Sequence, residues 1–163
     1  MLTLYCKGGT KKALGDIMYR MQLEVKNQEQ TKSLGEKLGR SLSGGEVIEL
    51  IGDVGGGKTT FVKGIATGLG IDEDVQSPSF TISRVYDARD DLILAHYDFY
   101  RLADPGIMRD ELYEAINNPG TITVIEWADV VEGVLPPKRI TIRFEAISED
   151  ERRLTIKGAE DLL

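Results

Sequence analysis

Residues 46–70 read EVIELIGDVGGGKTTFVKGIATGLG. Glu46–Ile51 is a short, mostly apolar run, the pattern of a buried strand. Gly52–Thr59 (GDVGGGKT) fits G-x-x-x-x-G-K-[ST] at every fixed position. From Lys58 the spacing predicts a helix to Leu69, with Phe61, Ile65, Ala66 and Leu69 toward the core and Gly68 and Gly70 marking its end. Strand, glycine-rich loop and helix follow in the order that phosphate binding requires. Glycines let successive backbone N–H groups converge on phosphate oxygens with no Cβ in the way. The helix N-terminus adds partial positive charge. Asp53, Gly55, Gly56, Gly57, Lys58, Thr59 and Thr60 are therefore the expected nucleotide-binding set. Within it Lys58 reaches the β and γ phosphates, and the Thr59 hydroxyl binds Mg²⁺.

Upstream, Met21–Lys26 alternates like a strand, and Asn27 offers an N-cap with Gln30 three residues on. The helix that follows carries Leu34, Leu38 and Leu42 on one face until Ser43-Gly44-Gly45 stops it. Leu42–Glu46 (LSGGE) resembles the LSGGQ signature of ABC transporters. Here it precedes the phosphate loop and links a helix to a strand, so it reads as a turn. Downstream, Phe80–Tyr86 and Leu92–Asp98 read as a hairpin over the short polar link Asp87–Asp91. Asp104-Pro105 looks like an N-cap and a first-turn proline, opening a helix to about Ile116. Thr121–Glu126 (TITVIE) is another strand, and Arg139–Ala146 with Arg152–Lys157 form a closing antiparallel pair. Strands alternating with helices, then a terminal β section, predict an α/β protein: a P-loop NTPase-like three-layer fold with a mixed central sheet.

The chain has 163 residues, the length of one ordinary domain. Hydrophobic residues make up 41% and charged residues 29%, a globular balance that excludes a disordered chain. The net charge is −7, which argues against an autonomous nucleic-acid binder. Charge is uneven: Lys7, Lys11, Lys12 and Arg20 against Asp16 make residues 1–20 net +3. That stretch lacks a clear period and is expected to be a weakly ordered extension, leaving 21–163 as a single domain. One cysteine, Cys6, excludes an internal disulfide, and one histidine, His96, excludes a multi-histidine metal cluster. No apolar run approaches the roughly 20 residues that span a bilayer. The first residues lack a signal core. A cytoplasmic protein with neither membrane nor DNA as partner is expected.

A phosphate-loop enzyme needs an acid at the end of a neighbouring apolar strand. Asp98 ends LILAHYD and Glu126 ends TITVIE, and spacing alone does not divide the labour between them. His96 points to the same face as Asp98 in a strand; it either orients Asp98 or is structural. Trp127 either stacks near the nucleotide or fills core. No N-K-x-D or T-K-x-D element for guanine is present, and no arginine-rich lid is obvious.

The ordered motifs GDVGGGKTTFVKGIATGLG (52–70), SPSFTI (77–82), HYDFYRL (96–102) and IEWAD (125–129) resemble the TsaE family, over residues 21 to about 157. That resemblance implies a Mg²⁺-dependent ATPase of tRNA threonylcarbamoyladenosine biosynthesis. Its hydrolysis supports repeated cycles of TsaD and TsaB, which modify tRNAs reading ANN codons; tRNA is met through those partners. It implies Lys58, Asp98 and Glu126 as catalytic residues, Thr59 and Glu126 at the metal, and Trp127 as a functional tryptophan. Ser77-Pro78-Ser79-Phe80 matches a switch-like segment whose usual form is SPTF, and GDVGGG stands where GDLGAG is usual. Tyr100 and Arg101 match family positions. The adenine is placed between Gln28 and Leu135-Pro136-Pro137. Two other readings of the residues are a small-molecule P-loop kinase and a nucleotide-dependent binding module with negligible turnover.

Overall fold

The computed structural model describes residues 20–159 and 161–163. The expected extension 1–20 lies outside the described residues, apart from Arg20. Strand β1 (Met21–Val25) leads to Asn27, whose side chain accepts a hydrogen bond from the Gln30 amide at 2.9 Å. In return the Gln30 side chain accepts from the Lys26 amide at 2.9 Å. The first bond satisfies an N–H that helix α1 (Gln28–Ser41) would otherwise leave orphaned, and the second secures the chain entering it. Asn27→Ala is expected to lower unfolding stability by about 1 kcal/mol, read as an earlier urea midpoint; an unchanged midpoint would show the cap to be dispensable.

The LSGGE segment is a turn. Gly44 and Gly45 have φ of 107° and 83°, and the Glu46 carboxylate accepts from the Ser43 and Gly44 amides. It feeds β2 (Val47–Ile51), after which the glycine loop leads into α2 (Lys58–Gly68). Next come β3 (Ser83–Asp87), β4 (Ile93–Asp98), α3 (Met108–Asn117), β5 (Thr121–Glu126), β6 (Ile140–Ala146) and β7 (Arg152–Lys157). The strands form one seven-stranded sheet in the order β1-β7-β6-β2-β5-β4-β3. The inner strands β6, β2, β5 and β4 run parallel; β3 and β7 flank them antiparallel at the two sides, and β1 pairs antiparallel with β7. The sheet is thus mixed, as the alternation of elements predicts.

Side chains alternate across the sheet. Ile48, Leu50, Leu94, Ile122 and Val124 face Leu34 and Leu38 of α1 and Phe61 and Ile65 of α2. Val47, Ala95, Tyr97 and Ile125 face Leu112 of α3 and Val131 of the 3-10 segment Ala128–Val134. These are the three layers. On the second face the buried Tyr97 hydroxyl donates to Glu111 of α3; burial, then the neighbouring carboxylate, hold the phenol above its ordinary range. No helix among the described residues is long and apolar enough to cross a membrane.

Two boundaries differ from expectation, each for a local reason. The strand expected from Phe80 starts at Ser83, because the Thr81 and Ile82 amides both donate to the Pro78 carbonyl, at 2.9 and 2.6 Å, and Ile82 has φ 67°. The helix expected from Asp104-Pro105 starts at Met108. Asp104 instead accepts from the Gly106 amide at 2.9 Å, and Gly106 has φ 51°, outside the helical region. Gly68 is the last residue of α2 and Gly70, at φ 74°, makes the turn that follows, so both glycines mark the end of the helix as expected.

Gly68 also serves close approach. A Cβ on Gly35 or Gly39 of α1 would meet the Phe61 or Ile65 carbonyl, and one on Gly64 or Gly68 of α2 would meet the Lys32 or Glu36 carbonyl. All four approaches are under the 3.0 Å that real Cβ atoms essentially never show. The two helices therefore pack backbone against backbone.

Candidate functional site

Because β2, β4 and β5 are parallel, their carboxyl ends lie together. A cavity of about 690 Å³ opens there, lined by the glycine loop, the start of α1, residues of the 77–80 segment and the ends of β4 and β5. The loop turns through Gly55 and Gly57, at φ 76° and 98°, and Gly57 caps α2. Both positions demand a left-handed backbone that glycine adopts without strain. Nothing among the described residues lies within 4 Å of where a Gly55 Cβ would stand, so the main chain borders open space. Gly56 donates its amide to the Asp53 carbonyl at 3.0 Å, closing the loop. Thr59 and Thr60 line the cavity beside it. The Asp53 side chain is exposed and away from the cavity; the residue contributes its carbonyl instead.

Lys58 is buried, and its ammonium donates to the Gly52 and Asp53 carbonyls at 2.7 and 2.8 Å. Glu126 Oε2 lies 3.8 Å from it. Asp98 and Glu126 are register partners on adjacent strands, so both carboxylates project to the α1/α2 face at the cavity floor. Their surroundings divide them. Glu126 faces the ammonium, and its Oε1 lies 3.0 Å from His96 Nε2. Asp98 Oδ2 accepts from the Ser77 and Ser79 hydroxyls at 2.8 and 2.5 Å, and Oδ1 accepts from the Tyr100 amide at 3.0 Å. His96 therefore does not orient Asp98: it is bonded to Glu126, diagonally across the strand pair. Ser79 keeps the hydroxyl of the switch-like segment on the acid.

Trp127 fills neither the deep core nor open solvent. Its backbone is left-handed (φ 57°), and the indole lies 5.0 Å from Lys58 Nζ and 5.0 Å from the Tyr100 ring. Arg101, also left-handed at φ 61°, places its guanidinium 4.8 Å from that tyrosine ring. Two cations thus bracket two aromatic rings, an arrangement that favours both. Arg101 and Tyr100 reach the cavity lining through this stack.

Two features of the cavity escape sequence reasoning. Glu149, Asp150 and Arg152, at the tip of the β6–β7 hairpin, line the cavity, and Arg152 donates to the Gly55 carbonyl at 3.5 Å. No local pattern marks them; they arrive only because β6 pairs with β2 and carries the hairpin to the loop. Conversely, Gln28 lines the cavity but Leu135-Pro136-Pro137 does not. That segment precedes β6, whose first residue, Ile140, pairs with Ile48. It therefore lies at the amino end of the parallel strands, opposite the cavity. A platform of Gln28 and residues 135–137 is excluded by topology.

Among the described residues no group of three or more His, Cys, Asp or Glu could enclose a metal ion. Thr59 and Glu126 both line the cavity beside the loop and would offer a cation two hard oxygens, a hydroxyl and a carboxylate. That set fits Mg²⁺, which keeps few protein ligands and shares the rest with phosphate and water.

The sequence model of the family described as "Threonylcarbamoyl adenosine biosynthesis protein TsaE" matches residues 25–154. Relatives include the tRNA threonylcarbamoyladenosine biosynthesis protein TsaE of Bacillus subtilis, 36% identical over 141 residues, covering 85% of each chain. The protein of the same name from Treponema pallidum is 38% identical over 137 residues, covering 83% of this chain and 99% of its own. Among solved structures, Bacillus subtilis YdiB superposes with a TM-score of 0.72 at 33% identity, over 90% of both chains. The likeness in sequence spans the glycine loop, the 77–82 segment and both acid-bearing strands, and on these grounds the chain belongs to the TsaE family.

Proposed function

We propose that this chain is the Mg²⁺-dependent ATPase of tRNA threonylcarbamoyladenosine biosynthesis, and that its hydrolysis of ATP sustains turnover of a TsaD–TsaB complex. The observation carrying this reading is the convergence of Lys58, Glu126 and Asp98 beside the glycine run Gly55-Gly56-Gly57 at the start of α2. An ion pair this deep is costly to assemble unless something recovers the cost, and a polyphosphate with its cation would do so. The loop amides and Lys58 bind the phosphates, with the ammonium countering charge that develops on the β and γ groups. Thr59 and Glu126 would hold the cation. Mg²⁺, when bound, supplies further neutralisation of phosphate charge. Asp98 orients the attacking water and takes its proton, while the β–γ bridging oxygen leaves with ADP. The Trp127 ring, 5.0 Å from the Lys58 ammonium, helps hold that charge in place. With a net charge of −7 the chain is suited to meet tRNA through its partners, not directly.

Asp98→Ala is expected to keep ATP affinity but lose at least about 100-fold of phosphate release in the presence of TsaD and TsaB. Full partner-stimulated turnover in that variant would remove Asp98 from the mechanism. Phosphate recovered on a metabolite, not as free inorganic phosphate, would replace the ATPase with a kinase. Equal support of many cycles by a non-hydrolysable ATP analogue would reduce the chain to a binding module.

A further inference from the structure

His96 is the sole histidine of the chain and has no solvent exposure. It lies on β4 between Leu94 and Asp98 on the α1/α2 face. One ring nitrogen, Nε2, lies 3.0 Å from Glu126 Oε1; the other, Nδ1, has no hydrogen-bond partner among the described residues. The two nitrogens are therefore unequal in a way that chemistry can read. A carboxylate oxygen only accepts, so the nitrogen facing it must carry a proton. A proton on Nδ1 would be a buried donor with no acceptor, an arrangement that costs several kcal/mol in an apolar medium.

We propose that His96 is a positioning residue for Glu126: as the Nε2–H tautomer it holds Oε1 and thereby directs Oε2 toward Lys58 and the cavity. The second carboxylate oxygen lies 3.8 Å from the Lys58 ammonium, so the two oxygens are held from opposite sides. A carboxylate with one oxygen anchored keeps one orientation and loses less freedom when it engages a cation. This is how a partner behind a ligand raises metal affinity without touching the metal. The orientation is set within the sheet, since His96 and Glu126 stand on adjacent parallel strands, and no loop motion is needed to establish it. The bare Nδ1 also makes the interaction one-sided: the ring has no second hydrogen bond to lose or exchange.

The placement of Glu126 by His96 stands on its own geometry; its consequence for Mg²⁺ rests on the ATPase reading above. Two experiments keep these apart. The first uses the unliganded protein. A long-range proton–nitrogen spectrum of the imidazole contains a single histidine, and it is expected to show a protonated Nε2 with an unprotonated Nδ1. A protonated Nδ1, alone or together with Nε2, would overturn the proposal. Glu126→Ala is expected to disturb this pattern, and an unchanged spectrum in that variant would also overturn it. The second measures ADP affinity with Mg²⁺ and with EDTA. His96→Leu is expected to leave the EDTA value unchanged and to lose at least about 10-fold of the gain that Mg²⁺ brings. His96→Gln, whose amide N–H stands near the Nε2 position, is expected to retain most of that gain. If Leu and Gln both behaved as wild type, His96 would be structural only. If the wild-type protein showed no Mg²⁺-dependent gain, the ATPase reading would fall and the imidazole spectra alone would decide the role of His96.

Discussion

Lys58→Ala is expected to weaken ATP binding by at least about 100-fold, a loss of about 2.7 kcal/mol. Hydrogen bonds to charged groups contribute about 1.5–3 kcal/mol each, and Lys58 has more than one phosphate oxygen within its expected reach. A second effect adds to the first. Glu126 is 3% exposed and Asp98 also 3%, and without the ammonium their negative charge faces an incoming polyanion at the floor of the cavity. Lys58→Arg is not expected to restore binding. The ammonium fits between the Gly52 and Asp53 carbonyls with the Trp127 ring at 5.0 Å, a place suited to a compact point charge and not to a planar fork. Trp127 is the only tryptophan in the chain, so its fluorescence reports on this site alone. Titration calorimetry would supply the affinity, and a melting curve would separate lost binding from lost folding. A folded alanine variant with wild-type affinity would remove Lys58 from the binding site.

The second large effect concerns stability, and its sign is the informative part. Gly64 is in the middle of α2, where glycine is ordinarily about 0.8–1.0 kcal/mol worse than alanine. Helix propensity alone therefore predicts that Gly64→Ala stabilises the protein. The structure predicts the reverse. The new Cβ would run into the Lys32 carbonyl and crowd the Glu36 amide at 2.9 Å, both of them backbone atoms that no rotamer change can move aside. Overpacking costs typically 1–3 kcal/mol and sometimes more, and a backbone clash belongs at the upper end. A net loss of about 2 kcal/mol is expected, a large share of a typical 5–15 kcal/mol stability. Gly133→Ala is the control, since its Cβ would meet none of the described residues within 4 Å. Urea denaturation of both variants checks the argument; a Gly64→Ala protein as stable as wild type would show that the helices do not depend on this contact. Function should follow stability here. Helix α1 brings Gln28 and Thr31 to the cavity and α2 begins at Lys58, so prying the helices apart also widens the site.

These two residues differ in how visible they are from sequence. Lys58 is legible because the chemistry is local: a lysine, a run of glycines and a helix start must lie within a few residues of one another, so spacing carries the information. The pair Asp98 and Glu126 is legible for a similar reason, since each ends an apolar strand. Gly64 is not legible. Its spacing from Gly68 matches that of Gly35 and Gly39 in α1, but four residues apart is also ordinary helical spacing. Only the crossing of α1 over α2 gives those glycines a common cause. The same holds for residues 135–137, placed near the nucleotide by resemblance but removed to the far end of the sheet by the parallel pairing of β6 with β2.

By itself, then, the sequence determines a strand–loop–helix unit, the alternation that makes an α/β sandwich, and which polar side chains are candidates for chemistry. These follow from forces that act over a few residues: backbone conformation at glycine, side-chain alternation and capping. Tertiary structure alone decides that Glu126 and not Asp98 takes the lysine and the histidine, that Ser77 and Ser79 take Asp98, and that the β6–β7 tip borders the cavity. Each of those outcomes depends on strand order and register, which bring residues far apart in the chain to within hydrogen-bonding distance; no local energy term contains that information.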